Sequence, residues 1–187
     1  MAGQTSVEHL GIDGVWVYQP RRFEDARGWF SETFNAAGLE AVLGGVTFVQ
    51  DNQVLSRAKG ILRGLHFQTP PRAQDKLVRV LRGSILDVAV DIRRASPTYG
   101  RCVSARLSVA DGKQIFVPKG FAHGYVTLEP DTEVLYKVSD YYSPQHEGGI
   151  LWNDPGIGID WTLAASEISL SERDRLLPRL DDLAAVF

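Results

Sequence analysis

An arginine, a histidine and a lysine lie close together in one strongly β-patterned stretch of the chain. Arg63 and His66 belong to the run at residues 63–68, and Lys76 follows eight residues after its end. Guanidinium and ammonium groups bind anions, and an imidazole exchanges protons near neutral pH. The stretch therefore predicts an anion site with a proton-transfer base beside it.

Lys76 shares one face of a predicted strand with Val78 and Val80, because side chains alternate along a strand. An ammonium beside two interior valines is poorly solvated, so it needs an anionic ligand or a buried carboxylate such as Asp87. The alternative interpretation is a solvated lysine at a sheet edge.

Two further residues could exchange protons or support an exchange. Tyr136 lies between Val134 and Val138 on one strand face, so its hydroxyl is either a paired interior group or a proton donor. Asp174 either completes a helix-capping pair with Ser171 or hydrogen-bonds His66 and fixes its tautomer. Sequence spacing leaves both alternatives open.

Glycines flank both candidate histidine segments. Arg63 and His66 have opposite parity, so a regular pleat would place them on opposite faces; a bulge at Gly64 would bring both to one cavity. His123 lies just before Gly124 in a glycine-containing segment that permits close approach of a ligand, although an ordinary β-turn is the alternative.

Short β-type runs, separated by glycine and proline, must position these side chains. This pattern predicts a mainly β, jelly-roll barrel or sandwich with short peripheral helices. The predicted helices are 34–43 and a short turn within 169–177. The predicted strands are 14–18, 28–34, 47–55, 62–67, 76–82, 85–92, 100–107, 114–117, 123–128 and 132–138, with Gly83-Ser84 as the turn between the fifth and sixth.

Bulk properties narrow the class of protein. The 187 residues are 44% hydrophobic, which suits one domain spanning 1–187. The net charge of −3 argues against nonspecific binding to nucleic acid or membranes. The single cysteine, Cys102, excludes a disulfide within the chain. The start resembles no signal peptide and no run is long enough to span a bilayer, so we expect a cytoplasmic location.

Metal binding is not predicted. Many small β-barrels hold a metal through a His-x-His pair, whereas the corresponding position here reads His66-Phe67-Gln68. The four histidines are dispersed through the sequence. We therefore expect neither a metal nor another cofactor.

Taken together, these motifs resemble the dTDP-4-dehydrorhamnose 3,5-epimerases, metal-free members of the cupin class. The resemblance covers nearly the whole chain. It is carried by Asp25-x-Arg27-Gly28-x-Phe30-x-Glu32, Gln50-x-Asn52, Arg63-Gly64-Leu65-His66-x-Gln68, Gln74-x-Lys76-Leu77-Val78, Ser96-Pro97-Thr98-Tyr99-Gly100, Gly120-Phe121-Ala122-His123-Gly124, Tyr136-Lys137 and Trp152-Asn153-Asp154-Pro155.

The resemblance implies roles for these residues. His66 is the expected catalytic base, Asp174 its partner, Tyr136 the proton donor, and Lys76 the group that faces the C4 oxygen of the sugar. The implied substrate-binding residues, besides Lys76, are Arg27, Glu32, Gln50, Asn52, Arg63, His123, Glu147 and Arg173. Arg173 stands where many members have lysine, which keeps the charge and changes the geometry of contact.

The implied reaction converts dTDP-4-dehydro-6-deoxy-D-glucose to dTDP-4-dehydro-L-rhamnose by inversion at C3 and C5. The resemblance also implies a homodimer with N-terminal strand exchange, in which Arg27 or Glu32 serves the partner's site. Three alternatives remain at this point: an epimerase that inverts only C3 or C5, a metal-dependent cupin oxygenase, and a non-catalytic sugar-nucleotide binder.

Overall fold

The computed structural model describes residues 5–187, which form mainly β structure. Two α-helices and several 3-10 turns lie outside the sheets. The strands are β1 (Ser6–His9), β2 (Trp16–Gln19), β3 (Phe23–Asp25), β4 (Gly28–Phe30), β5 (Gln50–Ser56), β6 (Leu62–Gln68), β7 (Lys76–Arg82), β8 (Ser84–Asp91), β9 (Cys102–Ser108), β10 (Gln114–Val117), β11 (Phe121–Thr127), β12 (Thr132–Val138) and β13 (Glu147–Gly149), and the helices are α1 (Ala36–Leu43) and α2 (Glu172–Arg175).

Two antiparallel sheets contain most of the strands. The six-stranded sheet has the order β1-β2-β10-β7-β12-β5, and the five-stranded sheet has the order β13-β6-β11-β8-β9. Consecutive strands repeatedly change sheet, which is typical of a jelly roll. The prediction of a mainly β jelly roll is confirmed. Strands β3 and β4 form a separate hairpin.

Hydrophobic residues fill three layers. The central layer lies between the two sheets and includes Val78, Ile85, Leu107 and Ile115, none of which is exposed to any appreciable extent. The outer face of the five-stranded sheet is covered by the C-terminal segment, which contributes residues such as Trp161. Helix α1 covers the other sheet through Leu39 and Leu43. Polar side chains that contact a ligand are therefore expected at the open end of the central layer.

The connection between β7 and β8 differs from the predicted turn of a strand pair. Arg82 pairs with Glu133 in the six-stranded sheet, whereas Ser84 pairs with Ser108 in the five-stranded sheet. Gly83 adopts φ +76° and carries the chain from one sheet to the other. Glycine adopts this left-handed conformation readily, whereas most other residues avoid it. Gly83 therefore makes the abrupt change of direction possible.

Other boundaries also needed correction. The predicted strand 28–34 shortens to Gly28–Phe30, and β1, β3 and β13 were not predicted. The C-terminal helical turn covers only four residues, because Ser169 is held extended by backbone hydrogen bonds with Gly60 and Leu62. Within residues 5–187, the helices are all too short or too polar to cross a membrane.

Candidate active site

Polar side chains surround two adjoining cavities at the open end of the sandwich. His66, Lys76 and Tyr136 line both. The glutamine-lined cavity, about 210 Å³, is also lined by Gln50, Asn52, Phe67, Gln68, Gln74, Tyr142 and Glu147. The arginine-lined cavity, about 320 Å³, is also lined by Val54, Arg63, His123, Tyr125, Ser171, Arg173 and Asp174.

His66 and Asp174 form a close contact in the arginine-lined cavity. His66 Nε2 lies 2.7 Å from Asp174 Oδ1, although 108 positions separate the residues. Burial raises the pKa of Asp174, but His66 and the hydroxyl of Ser171 outweigh it and hold the pKa below its usual value. The ionised carboxylate only accepts hydrogen bonds, so the ring nitrogen beside it carries the proton and the other nitrogen is left basic.

Both sequence interpretations of Asp174 are correct. Its backbone N–H donates to Ser171 Oγ at 3.1 Å, which caps α2, while its carboxylate bonds His66. The cap fixes the first turn of the helix and thereby the direction of the Asp174 side chain. Asp174 therefore takes part in the helix cap and in the contact with His66 at once.

A bulge in β6 brings Arg63 and His66 to the same cavity, as predicted. His66 pairs with His123 and Arg63 pairs with Tyr125, so two residues of β6 oppose Gly124 alone. Such a bulge reverses the parity of the strand. The backbones approach closely here: a Cβ on Gly64 would lie 2.6 Å from the Gly124 Cα.

Lys76 extends from β7 into the cavity and donates to the backbone carbonyl of His66 at 3.3 Å. Burial lowers its pKa to about 8, although the charges of Asp87 and Glu147 oppose that shift. The predicted carboxylate neighbour, Asp87, is thus the largest opposing charge. A partly desolvated ammonium is suited to stabilising a negative charge that develops on a bound molecule.

Tyr136 projects into the cavity from the sheet opposite His66. It belongs to β12 of the six-stranded sheet, while His66 belongs to β6 of the five-stranded sheet. Burial raises the pKa of Tyr136, Arg63 lowers it and Glu147 raises it. The phenol is therefore protonated at neutral pH and can act as a proton donor.

Glu147 contacts two other side chains that line the cavities. Its Oε2 accepts from the Tyr142 hydroxyl at 2.9 Å and pairs with an Arg173 nitrogen at 2.8 Å. Burial raises the pKa of Glu147, but these two donors hold it below its usual value. Nearby, Gln50 Nε2 donates to Asn52 Oδ1 at 2.9 Å.

His123 is more deeply placed than a turn residue would be. It is 7% exposed, and its Nε2 lies 2.9 Å from each carboxylate oxygen of Asp87, which is fully buried. The turn precedes β11 at Lys119-Gly120, so His123 is a strand residue. This placement corrects the alternative of an exposed turn histidine.

Arg27 and Glu32 do not reach the cavities of their own chain. Arg27 is 90% exposed and pairs with Asp25 in the β3–β4 hairpin. Glu32 accepts from the Asn35 side chain at 3.0 Å. The other ten predicted site residues line the two cavities.

Sequence reasoning missed Tyr142 and Tyr125 as parts of this site. Tyr142 lies in a loop, where periodicity gives no direction for a side chain. Tyr125 could have been found from the motif around His123, because two positions along a strand return to the same face.

A family model described as dTDP-4-dehydrorhamnose 3,5-epimerase matches residues 9–182. The chain belongs to this family. It is accordingly an isomerase of the epimerase type.

The 3,5-epimerase family includes relatives that resemble this chain over most of its length. A dTDP-4-dehydrorhamnose 3,5-epimerase from Sinorhizobium fredii is 48% identical, covering 96% of this chain and 92% of its own. The enzyme of that name from Salmonella typhimurium is 49% identical, covering 91% and 92%. A Legionella pneumophila 3,5-epimerase solved with dTDP-4-keto-L-rhamnose has a TM-score of 0.92 and 42% identity, covering 97% and 96%. These matches agree with the jelly-roll fold.

Proposed function

We propose that this chain converts dTDP-4-dehydro-6-deoxy-D-glucose to dTDP-4-dehydro-L-rhamnose with the residues assembled around the two cavities. The observation that carries the assignment of roles is the contact of His66 with Asp174, facing Tyr136 from the opposite sheet. Membership of the 3,5-epimerase family supports the choice of substrate.

His66 removes the proton next to the C4 ketone. The ketone acidifies the hydrogens at C3 and C5, because the electron pair left on carbon is delocalised onto the C4 oxygen. Asp174 stabilises the imidazolium that forms, as a buried carboxylate does in hydrolytic triads. Lys76 supplies a preorganised positive charge for the enolate oxygen.

Tyr136 returns a proton to the opposite face of the sugar ring. Inversion requires an acid and a base on two faces, and a side chain from each sheet meets that requirement. The C–H bond then forms as the phenolic O–H bond breaks. The chemistry requires neither a covalent intermediate nor a redox cofactor.

The remaining cavity residues bind the nucleotide and diphosphate. Arg63 and Arg173 provide cations for phosphate oxygens, and Gln50 and Asn52 provide amides for the base and sugar. Glu147 holds Arg173 in place at 2.8 Å. This binding energy positions the reacting sugar for both proton transfers.

A second copy of the chain completes the site in this proposal. Residues 1–187 act as one domain, and two such domains form a dimer through the N-terminal strand. Strand β1 lies at the edge of the six-stranded sheet with all four residues exposed, which leaves it available to pair. The exposed Arg27 would then reach the partner's cavity.

Proton NMR in heavy water tests the proposal. Purified protein mixed with dTDP-4-dehydro-6-deoxy-D-glucose is expected to introduce deuterium at both C3 and C5 and to form the L-sugar. Exchange and inversion at one carbon only would identify a single-centre epimerase. Binding without any exchange would contradict catalysis altogether.

Two variants test the assigned roles in the same assay. His66→Asn is expected to abolish exchange and inversion, because it removes the base. Tyr136→Phe is expected to keep exchange and lose inversion. His146→Asn is the matched control, since His146 bonds Ser143 outside the cavities. Exchange that persists in His66→Asn and vanishes in Tyr136→Phe would mean that the roles are reversed.

A further inference from the structure

Tyr125 is one of the residues that line the arginine-lined cavity. Its two cross-strand neighbours are both charged. On β11 it lies directly opposite Arg63 of β6 on one side and Asp87 of β8 on the other. Its ring packs in the central layer between the sheets and is 4% exposed. The side chain therefore points toward the interior, from the sheet that also carries His66.

The hydroxyl of Tyr125 lacks a hydrogen-bond partner. Among residues 5–187 it is the one fully enclosed side-chain nitrogen or oxygen in this condition. Burial of such a group destabilises the fold, and phenylalanine would fill the same space without that cost. An unsatisfied group of this kind beside a reaction site indicates a use that arises during the reaction.

Three polar groups are close enough to influence the Tyr125 phenol electrostatically: Arg63, Tyr136 and Asp87. Arg63 cannot accept a hydrogen bond. Asp87 binds His123 instead: both of its oxygens lie 2.9 Å from His123 Nε2, and neither accepts from the Tyr125 hydroxyl. Tyr136 packs against the same core cluster from the opposite sheet, and its oxygen becomes a strong acceptor once it loses a proton.

We propose that Tyr125 is a positioning residue that acts through Tyr136, by donating a hydrogen bond to the Tyr136 oxygen as that oxygen gives its proton to the sugar carbon. In this step the new C–H bond takes the Tyr136 proton, and the electron pair of the broken O–H bond stays on Tyr136. Tyr125 remains neutral throughout, and water later reprotonates Tyr136. The inference rests on the proposed function.

The pKa shifts of the two phenols support these separate roles, in which Tyr136 gives up a proton and Tyr125 keeps its own. Burial raises the pKa of Tyr136, which weakens it as an acid. A donor that strengthens its hydrogen bond as the phenolate forms offsets that effect. Burial raises the pKa of Tyr125 above the ordinary value as well, so Tyr125 keeps its own proton while Tyr136 reacts.

The test compares Tyr125→Phe with wild type in heavy water, with deuterium exchange and inversion followed in the same sample. We expect inversion to fall about tenfold or more while exchange and KM stay near wild type, because His66 still removes the proton. Tyr99→Phe is the matched control, as it removes a phenolic oxygen from a residue outside both cavities. Its ratio of exchange to inversion should equal that of wild type.

A double variant separates action through Tyr136 from direct contact with the ligand. In the Tyr136→Phe background, Tyr125→Phe should cause no further change in exchange or in residual inversion. Additive losses would overturn the inference. An unchanged ratio in Tyr125→Phe, an equal fall of exchange and inversion, or a raised KM alone would also overturn it.

Thermal unfolding distinguishes a positioning role of Tyr125 from a purely structural one. Tyr125→Phe should unfold at or above the wild-type Tm, because it loses an unsatisfied hydroxyl and keeps its ring. A lowered Tm together with a general loss of activity would indicate a structural role and contradict the inference. If wild type itself shows neither exchange nor inversion, the proposed function fails, which is a different result from an unchanged ratio in the variant.

Discussion

Lys76 is a buried charge that weakens the fold and that we propose serves the reaction. Burial lowers its pKa to about 8 from the ordinary 10.5, against the attraction of Asp87 and Glu147. The unfolded chain therefore binds more protons than the folded chain between these two values. The charge reduces stability fully below about pH 8, and this cost declines as the pH rises toward 10.5.

Lys76→Met is expected to lower kcat by a factor of about 100 or more and to change KM much less, because the ammonium acts mainly when the enolate forms. The free energy of unfolding at pH 7 should rise by roughly 1–3 kcal/mol, since a charge disfavoured by burial is removed. Steady-state kinetics and denaturant unfolding measure both effects.

The wild-type pH profile is the companion measurement for Lys76. The value of kcat/KM should fall as the pH rises through about 8, where the free enzyme loses the Lys76 charge. Lys59→Met, at a half-exposed surface lysine paired with Glu167, should keep that profile. A near wild-type kcat for Lys76→Met would show that the residue is a mere phosphate or surface contact.

At the scale of the strand, the bulge of β6 decides which side chains meet. Gly64 adopts φ +126°, and its backbone lies against His123 and Gly124 of β11. Only a residue without Cβ fits this approach. The glycine thereby allows Arg63 and His66 to share a cavity.

Gly64→Ala is expected to lower the free energy of unfolding by roughly 2–5 kcal/mol, through backbone strain and a steric clash together. Gly28→Ala is the control for strain alone: its φ is +131°, but nothing lies within 4 Å of the added Cβ. That variant should lose only about 1–2 kcal/mol. Equal losses in urea unfolding would show that the contact with β11 is unimportant.

At the scale of the whole molecule, one chain leaves part of its predicted site unfinished. The β3–β4 hairpin holds Arg27 away from the cavities and exposes Phe23, Trp29 and Phe30. Three large exposed hydrophobic side chains in one hairpin favour a protein interface. We expect this hairpin to cover the cavity of a second copy.

Mixing two inactive variants tests that arrangement. Arg27→Ala and His66→Asn chains, unfolded and refolded together in equal amounts, should recover about one quarter of wild-type sites if Arg27 serves the partner. Half of the dimers would then be mixed, and each would contain one intact site. Recovery is expected to be absent if Arg27 serves its own chain. Sedimentation of the wild type should show twice the 20.7 kDa chain mass.

The local sequence by itself determined the class of fold and most of the chemistry. Short β-type runs separated by glycine and proline identified strands such as β7, β10 and β12 with their observed limits. They did so because glycine and proline act locally and mark where such a run ends. The motifs around His66 and His123 likewise indicated reactive side chains, and Gly64 indicated the bulge that was found.

Only the tertiary structure decided which residues meet. The contact of His66 with Asp174 spans 108 positions and depends on the C-terminal segment folding back over the five-stranded sheet. The passage from β7 to β8 between sheets depends on pairing with distant strands in the same way. Such contacts follow from the burial of whole faces, and sequence spacing does not contain that information.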